Sequence, residues 1–223
     1  MTRPRQYEQR YNTLPPVRDA IESRLLAICS DLPHIDRITC RVKTPESFAK
    51  KADKLDAEGW PIYEAPLSQI QDQIGTRILV LYLSDIRKIE EAVLPHFQEA
   101  EHKAIEPGPA SFGYFGEHWL LAIPNNLIPS MVDPEDVPPF FELQVKTLFQ
   151  HAWSEAEHDL GYKSPQLLTP SQRRLFAYAS AQAWGADRVF EELFGELVVE
   201  ENTDGLTSTA QHKIRQQSGR RRG

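Results

Sequence analysis

The sequence predicts an α+β domain built on a mixed sheet of about four or five strands. Three observations predict it. Residues 76–83 (TRILVLYL) are a near-continuous apolar run of strand length, the pattern of a strand central in a sheet. Residues 140–146 (FFELQVK) alternate cleanly, so one face is apolar and the other polar. Helical periodicity stands between and beside these strands, in 16–31 and again after residue 170.

In chain order, Val17, Ile21, Leu25 and Ile28 share one helical face over 16–31, and Asp31-Leu32-Pro33 ends that helix. Residues 37–43 (RITCRVK) read as a strand. Thr44 caps the next helix, with Pro45 at its first position, where a missing N–H costs nothing. Gly59, Pro61 and Pro66 make 56–68 a loop. After the apolar strand, Ser84 is placed to cap a helix that buries Ile86, Ile89, Val93 and Phe97. Residues 105–113 (IEPGPASFG) form a first long loop, 117–123 a strand, and 125–139 a second long loop. A helix follows over 147–162. Thr169-Pro170-Ser171-Gln172 has the form of a capping box and opens a helix to about residue 197. Its stripe is Leu175, Ala179, Ala183, Ala186, Phe190, Leu193 and Leu197. From Ala210 onward five basic residues stand without an acidic one, which reads as a mobile basic tail. The resulting organisation is an N-terminal helical segment (1–36), a central domain (37–165), a C-terminal helix packed on it (166–199) and the tail (200–223).

Composition narrows the function. Charged residues make up 26% and hydrophobic residues 40% of 223, which is ordinary for a folded domain. The formal charge of −7 argues against a chain that binds nucleic acid over its whole surface. Cys29 and Cys40 have neither metal-type spacing nor a disulfide framework, and free thiols suit a reducing compartment. No apolar signal core and no run of spanning length is present, so a cytoplasmic protein with no membrane partner is expected.

Four segments carry candidate chemistry. On the strand 140–146, Glu142, Gln144 and Lys146 share one face, which is either a solvated surface or a site. The next helix favours a site, because His151, Glu155, His158 and Tyr162 continue a polar, titratable face at steps of four, three and four. Asp72-x-x-Gly75-x-Arg77 puts a carboxylate, a small residue and a fixed cation at the mouth of the apolar strand. Alone, Asp72 reads as a turn residue; paired with Glu142 it makes a ligand set suited to Mg²⁺. Arg41 and Lys43 converge with Ser47 and Lys51 on one strand–helix junction, an arrangement that suits a triphosphate. Finally, Tyr114 and His118 lie in or beside a Gly-flanked loop, where the tyrosine either stacks on a base or packs the loop.

Together these motifs resemble the RelA/SpoT synthetase family, the makers of ppGpp and pppGpp. The resemblance covers roughly 37–165 and rests on Arg41-Val-Lys-Thr-Pro-Glu-Ser47, Asp72-x-x-Gly-x-Arg77, Gly113-Tyr114 with His118, and Glu142-Leu-Gln-Val-Lys-Thr-Leu-Phe-Gln-His-Ala-Trp153 leading to Glu157-His158 and Tyr162-Lys163. It implies a nucleotidyltransferase-like fold and transfer of diphosphate from ATP to the 3′-hydroxyl of GDP or GTP. It implies Mg²⁺ on Asp72 and Glu142, with Glu142 also the base. Arg41 and Arg77 would sandwich adenine, and Lys43, Ser47 and Lys51 would meet the ATP phosphates. Tyr114 would stack on the acceptor base, with His118 and Gln144 beside it.

The sequence departs from the family's Gly-Tyr-Arg-Ser-x-His at Phe115 and Gly116, and Glu106–Ser111 carries no basic residue. Two alternatives therefore stand beside alarmone synthesis. One is a toxin-type member that modifies the tRNA 3′ end, with room for an antitoxin partner. The other is a weakly catalytic nucleotide-binding module. His158-Asp159 spells the signature of the family's hydrolase domain but has no companion set and reads as accidental. The long C-terminal helix makes a homo-oligomer plausible.

Overall fold

A computed structural model describes residues 3–105, 112, 116–163 and 168–219. Its centre is a five-stranded sheet in the order β1-β2-β5-β4-β3, formed by β1 (Ile35–Val42), β2 (Ile74–Val80), β3 (Glu99–Ile105), β4 (Gly116–Ala122) and β5 (Phe140–Thr147). β2 and β5 run parallel; the other neighbours are antiparallel. The α+β mixed sheet expected from the sequence is therefore present, with five strands.

Alternation assigns the two faces. Ile78, Val80, Phe141, Leu143, Val145, Trp119 and Leu121 point into one core. That core is closed by α2 (Pro15–Ile28) through Val17, Ile21 and Leu25, and by α5 (Leu83–Val93) through Ile89 and Val93. The apolar run of β2 follows from its place between β1 and β5. The opposite face carries the polar alternates of β1, β2 and β5 and is partly covered by α6 (Leu148–Lys163).

Helix starts mostly follow the sequence signals. Thr44 caps α3 (Pro45–Ala52), its hydroxyl accepting from the Ser47 N–H at 3.2 Å. Thr169 and Gln172 form a reciprocal box at the start of α7 (Pro170–Gly219), with Thr169 N–H to Gln172 Oε1 at 2.8 Å and Gln172 N–H to Thr169 Oγ1 at 3.3 Å. Ser84 does not cap α5. Its hydroxyl is buried without a hydrogen bond, and its N–H donates to Glu191 Oε2 of α7 at 3.0 Å. A carboxylate borrowed from another helix thus meets the positive end of α5.

Three elements depart from the sequence reading, while the first helix falls within the expected helical segment 1–36. α1 (Arg3–Thr13) packs on α3, with Tyr7 stacked on Phe48 at 3.8 Å, and the short α4 (Pro66–Gln69) sits inside the expected loop. β3 was not expected; as an edge strand it carries charges that blunt pairing and mask its periodicity. α7 passes residue 197 and runs to Gly219, so helix replaces most of the expected tail; the sequence has no proline after Pro170 to stop it. The predicted buried stripe of α7 is largely exposed: Leu175 64%, Phe190 47%, Leu193 45% and Leu197 60%. The helix meets the domain through the buried Asp187, through Glu191, and through Phe190 and Phe194, which stack on Phe149 and Tyr82.

Candidate active site

Register builds the site. Arg41, Gly75, Glu142 and Leu120 stand in one cross-strand row; Thr39, Arg77, Gln144, His118 and Lys103 stand in the next. Directly opposed residues point to the same side of a sheet, so Arg41, Arg77, Glu142, Gln144 and His118 converge on the face away from the core. Gly75 leaves the floor between Arg41 and Glu142 without a side chain, and a Cβ there would meet nothing within 4 Å.

A polar chain crosses this floor. His118 Nδ1 is 3.1 Å from Glu142 Oε1, and Gln144 Nε2 donates to Glu142 Oε2 at 2.9 Å. The other end of the Gln144 amide accepts from Arg77 Nη2 at 3.3 Å. Arg77 Nη1 in turn reaches α6, donating to Glu155 Oε1 at 2.6 Å and to His151 Nδ1 at 3.1 Å. Burial works against the Glu142 charge, but the His118 and Gln144 contacts outweigh it and hold its pKa below the usual range. Lys146, one step along the same face, is buried against Ser154 at 3.2 Å, and burial brings its pKa down to about 8.

Asp72 lies in the short segment before β2. Lys43 Nζ stands 2.9 Å from its Oδ2 and Lys51 Nζ 3.0 Å from its Oδ1. Burial again opposes ionisation, and the two ammonium groups overcome it, so the Asp72 pKa is lowered. The segment is anchored by residues the sequence did not single out. Gln73 is buried and its amide donates to the Leu67 and Ile70 carbonyls, both at 2.8 Å. Arg10 of α1 donates to Gln73 Oε1 at 3.2 Å, and the Tyr7 hydroxyl donates to the Lys43 carbonyl at 2.6 Å. Nothing local in the sequence marks the Tyr7 and Arg10 anchors, because they act across 36 and 63 residues.

Three cavities meet at these side chains. A basic cleft of about 500 Å³ is lined by Arg41, Lys43, Ser47, Lys50, Lys51 and Lys54, with Asp72 and His158 at its border. A cavity of about 210 Å³ is bounded by Arg41, Arg77, Glu142 and Gln144. A third, of about 200 Å³, holds Tyr63, Gln71, Glu101, Lys103 and His118 and touches both Asp72 and Glu142. Sequence reasoning missed Tyr63, Gln71 and Glu101 as lining residues. Tyr114 lies outside the described residues, as does the side chain of Tyr162.

The carboxylate pair fits Mg²⁺. Asp72 and Glu142 supply hard oxygen donors on one cavity, and their charges repel each other, a situation a cation relieves. Asp72 Oδ1 is buried and lacks an aligned hydrogen bond despite its Lys51 ion pair. Among the described residues no three His, Cys, Asp or Glu side chains gather into a cage. An ion held by these two carboxylates would complete its shell with waters and phosphate oxygens, as Mg²⁺ does. No described helix is long and apolar enough to cross a membrane.

Comparison with known proteins bears on the family and the fold. A model of the region found in RelA / SpoT proteins matches residues 40–166. GTP pyrophosphokinase YjbM of Bacillus subtilis (strain 168) is 24% identical over 195 residues, spanning 82% of this chain and 88% of that protein. The small alarmone synthetase 1 of Bacillus subtilis, solved bound to its product pppGpp, superposes with a TM-score of 0.67 at 24% identity, covering 85% of this chain and 98% of that one. A GTP pyrophosphokinase family protein from Streptococcus pneumoniae superposes with a TM-score of 0.70 at 19% identity, covering 88% and 96%. At these identities the structural likeness speaks for the fold, a nucleotidyltransferase-like mixed sheet flanked by helices. The matched region spans more than half of the chain, and the chain belongs to the RelA/SpoT family.

Proposed function

We propose that this chain is an ATP-dependent pyrophosphokinase that moves the β,γ-diphosphate of ATP to the 3′-hydroxyl of GDP or GTP and releases AMP. The observation that carries the reading is the position of the two carboxylates. Glu142 borders both the Arg41/Arg77 cavity and the cavity of His118, and Asp72 borders both the basic cleft and that same third cavity. A reaction that joins two nucleotides needs its acid–base group at such a junction.

In this reading adenine lies between Arg41 and Arg77, and the triphosphate extends into the basic cleft toward Lys43, Ser47 and Lys51. Mg²⁺ held by Asp72 and Glu142 would supply charge neutralisation across the phosphates. Lys43 and Lys51 neutralise Asp72 in the free chain, so nucleotide phosphate competes for ammonium groups already gathered at the site. Glu142 is ionised at neutral pH and accepts the acceptor's hydroxyl proton. The freed 3′ oxygen bonds to the β-phosphorus as the bond from that phosphorus to the α–β bridging oxygen breaks, and AMP leaves with that oxygen. Alignment and positive charge carry most of such a transfer. The activity of the Bacillus subtilis GTP pyrophosphokinase YjbM supports the acceptor assignment.

One observation favours a second acceptor. Lys103, in the third cavity, is already paired with Glu101 at 2.6 Å, and residues 104–117 contain no Lys or Arg. This half grips a free diphosphate weakly, which suits an RNA 3′ end held along its backbone elsewhere. The test supplies Mg²⁺ and ATP labelled in the β- or γ-phosphate, with GDP, GTP and deacylated tRNA in parallel and Glu142→Gln as control. Label in a guanosine polyphosphate, lost in the variant, supports the first reading. Label on tRNA alone supports the second. AMP-free binding of ATP would leave a nucleotide-binding module.

A further inference from the structure

Arg77 is held in an unusual way for a cation facing a triphosphate site. A guanidinium offers five N–H donors at its edge and a flat π face. Three donor contacts are occupied: Nη1 on Glu155 and His151, Nη2 on Gln144. Glu155 and His151 come from α6 and Gln144 from β5, so two separate elements fix the plane of the group. The His151 contact requires Nδ1 to accept, which a neutral ring protonated on Nε2 can do. Only two of its five N–H donors, on Nε and Nη2, then remain for phosphate oxygens, and the flat face is the other surface it can offer a ligand in the cavity it borders.

We infer that Glu155 and His151 commit Arg77 to stacking on a flat ring rather than gripping phosphate, and that they thereby set the base preference of the donor subsite. The inference rests on the reading of this cavity as the ATP site and goes beyond it by assigning two positioning residues on α6. Glu155 carries the larger part, through the 2.6 Å charged contact; charge-assisted bonds are about twice as strong as neutral ones. His151 contributes a neutral acceptor on the same nitrogen. Without them the Arg77 edge is free to swing toward the basic cleft, which shares Arg41 with its cavity.

The experiment measures equilibrium binding of ATP, UTP and inorganic triphosphate to the full chain, without acceptor. It compares wild type, Glu155→Ala, Glu155→Gln and His151→Ala. Glu155 is 56% exposed at its side chain, so a folded variant is expected, and a thermal melt checks it. In Glu155→Ala, ATP affinity should fall about tenfold, the worth of one such contact, while inorganic triphosphate binds as well as before or better. ATP selectivity over UTP should fall with it. Glu155→Gln, which keeps an acceptor but not the charge, should recover part of the loss, and His151→Ala should show a smaller loss in the same direction. Equal losses for ATP and triphosphate, or no change in either, overturn the inference. Failure of the wild type to bind ATP at all overturns the pyrophosphokinase reading first and this inference with it.

Discussion

The two halves of the site share one sheet face but solve opposite electrostatic problems. On the β1–α3 side, Arg41, Lys43, Lys50, Lys51 and Lys54 line one cleft with Asp72 as its main carboxylate. On the β3–β4 side, Glu101, Asp72 and Glu142 face Lys51, which is committed to Asp72, and Lys103, which is committed to Glu101. On the proposed reading, the first half would receive a polyanion by charge and the second its ligand through neutral contacts, hydrogen bonds and shape. The difference teaches that the affinity for the two substrates should respond differently to charge deletion and to salt, even though Asp72 borders both halves.

Glu142→Gln removes the proposed base, which borders the Arg41–Arg77 cavity and the third cavity, and has the largest expected effect. Turnover should fall by about 10² to 10⁴, the usual contribution of a general base. ATP binding should survive, because the lysines of the cleft are untouched. Quench-flow detection of AMP together with equilibrium ATP binding checks both parts. Lost ATP binding alongside lost turnover would place Glu142 in nucleotide recognition instead.

Deleting Lys51, which borders both cavities, and Lys103, which borders only the second, tests the comparison itself. Lys51→Ala should weaken ATP binding by about ten- to a hundredfold, as expected for a charged contact to phosphate. Lys103→Ala should change acceptor affinity less than about threefold, because an exposed, pre-paired ammonium contributes little. ATP binding should also fall more steeply with added salt than acceptor binding does. Equal effects at Lys51 and Lys103 would dissolve the distinction.

Acid should act on three carboxylates of the site, of which Asp72 lies in the charged half. The pKa values of Asp72, Glu142 and Glu155 are all lowered in the folded chain. The unfolded chain therefore binds protons at higher pH than the folded one. The stability these groups add is complete above the ordinary carboxylate range, about 4, and drains as pH falls through their lowered folded values. Chemical denaturation across pH 3 to 7 should show a smaller acid loss in Asp72→Asn than in wild type. An identical pH dependence would mean that the Lys43–Asp72–Lys51 cluster is already solvated.

The charged half was also the more legible in the sequence, for a physical reason. Alternation in Phe140–Lys146 translates directly into sheet faces, and Arg41-x-Lys43 leading to a capped helix translates into a phosphate-sized junction; both are local signals. The partners of those residues are not local. Glu155 was visible as part of a polar helix face, but its contact with Arg77 spans 78 residues. Arg10 and Tyr7 shape the Asp72 segment from α1, meeting it at Gln73 and at the Lys43 carbonyl, and leave no periodic trace. β3 escaped notice because edge strands carry charge, and the exposed stripe of α7 misled because helical periodicity records an apolar face without recording what covers it.

The smallest effect should come from a residue outside both halves. Asp187 of α7 is buried; its Oδ2 accepts from the Thr147 hydroxyl at 2.9 Å, and its Oδ1 has no hydrogen bond. Burial raises its pKa to about 6, and the hydroxyl contact only partly offsets this. Here the sign reverses. A raised pKa means the folded chain holds this proton more tightly than the unfolded one, so Asp187 favours the fold in acid. That contribution is lost as pH rises through about 6. Asp187→Asn keeps an acceptor for Thr147 and removes the charge. It should stabilise the chain at pH 8 by on the order of 1 kcal/mol, the pKa shift being partly offset by an amide nitrogen left in the orphan position. At pH 4.5 the gain should vanish. ATP and acceptor affinities should stay at wild-type values at both pH values. A change in either would mean that the docking of α7 on the end of β5 reaches the polar chain that starts at Glu142.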